Sequence, residues 1–147
     1  MAVPRNLPGF GPHGGIGRLI NQVRVSLFDA LDRELQPLDI TAAQCLILML
    51  LASGHADSAA GLCRGISYDP GAMTRMIDRL EQKDLIRRVR SAADRRTAKL
   101  ELTAEGRGVY PKLAKAGLAV MNRHLKGFSK TEVVELEAYL QRMLDNA

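Results

Sequence analysis

Five arginines, Arg87, Arg88, Arg90, Arg95 and Arg96, fall within a ten-residue stretch, and Arg75 and Arg79 stand four apart a little earlier in the chain. A guanidinium breaks no bonds. It stays charged and offers a rigid planar fork of N–H donors that fits phosphate oxygens and the O6/N7 edge of guanine. Packed this densely on a free hairpin the arginines would repel one another, so their natural complement is a polyanion. Position strengthens the point. Residues 64–99 hold ten basic side chains, the seven above with Arg64, Lys83 and Lys99, against the five acids Asp69, Asp78, Glu81, Asp84 and Asp94. That excess equals the net charge of the whole chain, +5, so the remainder is neutral and the high isoelectric point, about 9.6, reflects a basic patch and not a basic average.

The other reactive residue types form no constellation. There is no GxSxG, HExxH, phosphate-binding loop or Gly-rich dinucleotide turn, which argues against an enzyme and against a bound cofactor or metal. His13, His55 and His124 are scattered and read as solvated surface side chains. Cys45 and Cys63 make no CxxC pair, so neither a zinc knuckle nor a disulfide framework is signalled, and a reducing compartment is the simpler reading. Cys45 lies in an apolar run that would keep it a buried thiol, whereas Cys63 adjoins Arg64, which could lower its pKa. The longest apolar run, Cys45 to Ala52, is far short of the roughly 20 residues of a membrane helix, and a cytoplasmic location is expected.

These side chains need elements to hold them. A chain of 147 residues suffices for one domain that buries roughly 70% of its unfolded surface. Residues 1–15 are rich in Gly and Pro and read as a flexible arm. From Ile16, apolar residues at Leu19, Ile20, Val23, Leu27, Leu31 and Leu35 keep the helical period until Pro37. Thr41 and Gln44 form a capping box for a second helix, apolar on every side from Leu46 to Leu51 and ending at Gly54, which reads as the buried axle of the core. A short third helix from Ser58 to about Ser67 is weakened by Gly61 and Gly65. Asp69 and Pro70 then cap a fourth, whose inward face is Met73, Met76, Ile77 and Leu80.

After Lys83 the period changes to two. Leu85 to Ser91 and Lys99 to Leu102 read as strands joined by the charged tip Ala92 to Arg96. Thr103 caps a fifth helix reaching about Lys126, which Pro111 should kink. The box Ser129/Glu132 opens a sixth, expected to bury Val133, Leu136, Leu140 and Met143. The fold class is therefore mainly α with a small β wing: about six helices, a helix-turn-helix over about 58–82, a two- to three-stranded wing over about 85–102, and long helices at 16–36 and 104–147.

In such an order the second helix of the helix-turn-helix enters the major groove of DNA. Its first turn offers Gly71, Ala72 and Thr74, small enough for close approach, with Arg75 and Arg79 beyond them, and a wing-tip guanidinium suits a narrow minor groove. At this point the residues resemble the MarR (multiple-antibiotic-resistance regulator) family. The likeness is carried by Asp69-Pro70-Gly71-Ala72-Met73-Thr74-Arg75-Met76-Ile77-Asp78-Arg79-Leu80-Glu81, by Leu85-Ile86-Arg87-Arg88, by Asp94-Arg95-Arg96, and by Leu100-Glu101-Leu102-Thr103-Ala104-Glu105-Gly106.

The resemblance covers about residues 16–145. It implies a ligand-responsive transcriptional repressor acting as a homodimer on a pseudo-palindromic operator in double-stranded DNA. In that picture Arg95 enters the minor groove, Asp94 orients the basic residues around it, and Arg87, Arg88, Arg90 and Arg96 complete the wing. The first, fifth and sixth helices of two chains would interlock, making Leu27, Leu31, Val120, Leu136 and Leu140 candidates for dimer core; intrachain core is the alternative. The effector would be a small aromatic or lipophilic molecule, with Phe28, Tyr68 and Tyr110 the nearest aromatics, although ordinary packing fits each of them too. The rival reading is a winged helix used as a protein-interaction module without DNA, which would need no wing arginines.

Overall fold

In a computed structural model, which describes residues 14–90, 93, 96 and 98–147, the fold consists of six helices and a two-stranded antiparallel sheet. They are α1 (Gly14–Leu35), α2 (Ala42–Ser53), α3 (Ala59–Ile66), α4 (Pro70–Gln82), β1 (Ile86–Arg90), β2 (Ala98–Leu102), α5 (Ala104–His124) and α6 (Lys130–Asp145), with a 3-10 turn over Gln36–Leu38. Of the arm expected over 1–15, residues 1–13 lie outside the described residues. Gly14 and Gly15 form the first turn of α1, so the helix begins two residues before the apolar period does.

Local signals set most boundaries. Thr41 and Gln44 exchange side-chain and backbone hydrogen bonds at the start of α2, as Ser129 and Glu132 do for α6. These bonds satisfy amides that a helix start otherwise leaves orphaned. Asp69 Oδ1 accepts from Ala72 N at 3.0 Å to cap α4, with Pro70 in the first position. Ser67, in the left-handed region at φ 62°, ends α3 and turns the chain into α4. Pro111 sits inside α5, which is assigned as one helix from Ala104 to His124.

The core forms around α2, whose Cys45, Ile47 and Leu48 are fully buried against Leu35, Leu62, Met73, Ile77, Leu80, Ile86 and Leu113. Leu46 and Met49 to Leu51 are half-buried at its margin. Gly65 lets α3 approach this axle, since a Cβ there would stand 2.9 Å from Leu50 Cδ1. The buried polar side chain Gln44 accepts from Lys83 Nζ at 3.2 Å, and Lys83 also binds the Asp39 backbone carbonyl. The end of α4 is thereby tied to the start of α2.

The expectation for α6 needs correcting. Leu136, Leu140 and Met143 are exposed and Val133 is only half-buried; no residue of α6 is buried within the chain. Apolar periodicity marks a face to be covered but does not say by what. His124 also departs from expectation. It is half-buried, with Nδ1 2.8 Å from Val120 O and Nε2 2.9 Å from Ser26 Oγ, linking α5 to α1. Among the described residues no single helix is long and apolar enough to cross a membrane; α1 and α2 pass by length and composition only as a pair bent by 82°.

Candidate nucleic-acid interface

The inward face of α4 is fully committed to the core through Met73, Ile77 and Leu80, with Met76 half-buried beside them. That fixes the rotation of the helix. Gly71, Thr74, Arg75 and Arg79 consequently face outward and are exposed, while Ala72 is half-buried. Thr74 Oγ1 donates to Pro70 O at 2.8 Å, which holds its methyl group and hydroxyl in one orientation on the first turns. A Cβ on Gly71 would stand 3.2 Å from Asp69 Oδ1 and 3.6 Å, an ordinary contact, from Arg75 Nη1, which lies over the helix start.

The wing follows within four residues. Register pairs Ile86 with Leu102, Arg87 with Glu101, Arg88 with Leu100, Val89 with Lys99 and Arg90 with Ala98. Ile86, Leu100 and Leu102 anchor its base in the core. The sheet is two-stranded; its β2 edge makes a backbone hydrogen bond from Leu100 N to Asp57 O at 2.7 Å, where a third strand would lie. At the tip, Asp94 and Arg95 lie outside the described residues, and Arg96 is exposed.

The wing arginines are not equivalent. Arg90 is exposed near the distal end of β1. Arg87 Nη2 donates to Glu101 Oε2 across the ladder at 3.0 Å, on a solvent-facing pair. Arg88 turns the other way. Its Nη2 donates to Asp78 Oδ1 at 2.5 Å and its Nη1 to Glu81 Oε1 at 3.0 Å, both on α4. The Asp78 hydrogen bond, opposed by partial burial and helped by the charges of Glu81 and Asp78, raises the guanidinium above its already high ordinary pKa. Sequence reading treated Arg87 and Arg88 as equals. The period of two places them on opposite faces, and the i, i+3 spacing of Asp78 and Glu81 on one helix flank was the signal for the second contact.

The three aromatics named as a candidate ligand pocket are not brought together. Tyr110 lines an open cavity of about 550 Å³ between the α2 end, β2 and α5, shared with Leu51, Asp57, Lys99 and Arg107. Phe28 is half-buried on α1 with Arg24 stacked 5.9 Å from its ring centre, and Tyr68 packs on the core at the α3–α4 turn. Burial pushes the Cys45 thiol up to about 11, so at neutral pH it is protonated and a poor nucleophile.

A family model described as the MarR family matches residues 38–97, from the last residue of the 3-10 turn to the residue before β2. The multiple antibiotic resistance protein MarR of Escherichia coli K12 is 32% identical over 130 residues, covering 88% of this chain and 90% of that one. The chain belongs to the MarR family. It is thereby a DNA-binding transcriptional regulator and not an enzyme. Another relative, the transcriptional repressor MdtR of Bacillus subtilis, is 30% identical over 80% of this chain and 81% of its own length. Among solved MarR-type structures, a cysteine-to-serine mutant of E. coli MarR complexed with operator DNA superposes with a TM-score of 0.79, at 32% identity over 88% of this chain and 94% of that one. The transcriptional regulator SlyA superposes with a TM-score of 0.82, at 27% identity over 89% and 92%.

Proposed function

We propose that this MarR-family chain is a repressor that binds a pseudo-palindromic operator as a homodimer, one α4 helix in each of two successive major grooves. The observation that carries the reading is the disposition of α4: its inner face is saturated by core, its outer face presents Thr74, Arg75 and Arg79, and a basic hairpin follows at once. The likeness to MarR solved with operator DNA supports the same use here. Arg75 reads a guanine edge, Arg79 and Arg90 meet backbone phosphates, Arg95 enters the minor groove, and Asp94 orients its neighbours.

Two apolar faces support the dimer. Ile16, Leu19, Ile20 and Val23 on α1 are exposed, as are Leu136, Leu140 and Met143 on α6. A 16-residue helix that buries nothing of its own is marginal in water and calls for a covering partner. Of the dimer-core candidates, Leu136 and Leu140 remain exposed; Leu27 is half-buried, Leu31 packs on the chain's own core and Val120 is buried within the chain. A small aromatic or lipophilic effector tunes the dimer, with Tyr110 facing a cavity of about 550 Å³. The protein works in the cytoplasm, where its DNA is.

Salt titration tests the electrostatic part. If a dimer neutralises on the order of 8 phosphates, log K for its own upstream intergenic duplex should fall with log salt at a slope near about −7, whereas a slope near about −2 would sink the interface described here. Replacing Arg75 and Arg95 together by Ala should abolish specific binding, each base contact being worth about 1 to 3 kcal/mol. If biological activity survives that double replacement, the protein-interaction reading takes over.

A further inference from the structure

We propose that Arg88 is a positioning residue, a strut that holds the wing at a set angle to the recognition helix, and that it makes no contact with DNA itself. The inference rests on the operator reading above. Both terminal nitrogens of Arg88 are engaged by α4, one with Asp78 and one with Glu81, and the side chain is 29% exposed against 61% for Arg87. Ile86 is the outermost residue of β1 that is buried; Val89 and Arg90 beyond are exposed. Arg88 therefore carries the attachment of β1 two residues, roughly 7 Å of strand, past that strand's own last buried residue, to the level of the buried Leu100 opposite.

The arrangement also explains two carboxylates in an awkward place. Asp78 and Glu81 lie on the helix that must approach phosphates, in the most basic quarter of the chain. Charge alone would disfavour them there. Set one turn apart, they match the two prongs of a guanidinium, a geometry that fixes direction as well as distance. A lysine would keep the charge of Arg88 and lose that direction.

A sign reversal separates a strut from a phosphate contact. The intact protein, its Arg88→Gln and Arg88→Lys variants, the Asp78→Asn/Glu81→Gln double variant and the triple variant with Arg88→Gln are titrated with two duplexes at several salt concentrations. One duplex is the protein's own upstream intergenic DNA and the other an unrelated sequence of equal length. A strut predicts that removing the two acids weakens operator binding roughly 10-fold although the change makes the protein more positive. Binding to the unrelated duplex holds or tightens, the triple variant is no weaker than either parent, Arg88→Lys behaves like Arg88→Gln, and the salt slope is unchanged. The assignment is overturned if the acid variant binds the operator as well as or better than the intact protein while Arg88→Gln weakens both duplexes and lowers the salt slope by about 1. Should Arg88→Gln fail to fold, Arg88→Lys and the acid variant carry the same comparison. If the intact protein itself shows no preference for its upstream duplex, the operator reading falls and takes the strut with it, an outcome visible before any variant is made.

Discussion

Replacing Leu136 and Leu140 together by Glu will convert the protein from dimer to monomer and abolish operator binding while leaving the winged lobe folded. The two leucines stand four apart on α6, on the same face as Val133 and Met143, and are 37% and 41% exposed, no residue of α6 being buried within its own chain. Burying a leucine contributes about 1.5 to 3 kcal/mol, and a symmetric interface counts each one twice. With the leucines 37% and 41% exposed, roughly 40% of that burial remains to be gained, so the four supply about 3 kcal/mol and their loss should raise the dimer dissociation constant by at least roughly 100-fold, before the cost of burying glutamate is added. Sedimentation velocity measures the association and far-ultraviolet circular dichroism the helix content. A variant that remains dimeric at low micromolar concentration would show that α6 is covered by something other than a second copy.

Gly106→Ala should be the most destabilising glycine-to-alanine change among the described residues. Gly106 is buried in the first turn of α5, and a Cβ there would lie 2.1 Å from the Leu85 carbonyl oxygen, which is backbone and cannot swing aside. That carbonyl is pinned. It accepts from Thr103 N at 3.1 Å, while Thr103 Oγ1 donates to Asp84 O at 2.5 Å and accepts from Gly106 N at 3.0 Å. The start of the wing and the start of α5 are thus locked at the distance that only a hydrogen atom permits. Relieving the overlap should cost about 3 kcal/mol, the upper end for overpacking. At ~2 to 4 °C per kcal/mol for a chain of this size, the thermal midpoint should drop by roughly 6 to 12 °C at fixed protein concentration. Gly108→Ala, two residues on and facing open space in the same helix, is the control and should be neutral or stabilising by up to about 1 kcal/mol. Equal midpoints for the two variants would contradict the close approach.

The contrast between these sites shows which physics a sequence exposes. Caps are local: Thr41 with Gln44, Asp69 with Pro70, and Ser129 with Glu132 each satisfy amides within one turn, and each boundary stands where those residues place it. Helical and strand periods are local too, which is why the order of six helices and a wing was legible. What was not legible depended on docking. A glycine at the third position of a helix is locally unfavourable, and that cost was the one hint that backbone approaches Gly106 closely. The apolar faces of α1 and α6 were visible as faces, yet only the packed chain shows that its own core leaves them uncovered. Counting arginines located a basic stretch along the chain but could not divide it. Arg87 spends its charge on Glu101 and Arg88 on Asp78 and Glu81, pairings fixed by strand register and by the angle of β1 to α4.

The most direct test of the central claim is an electrophoretic mobility shift of the intact protein on its own upstream intergenic duplex, with excess unrelated competitor DNA and the stoichiometry of the complex determined. A discrete complex holding two protomers per duplex, lost on Arg95→Ala, is the expected result. No complex at moderate salt would contradict the operator-binding account.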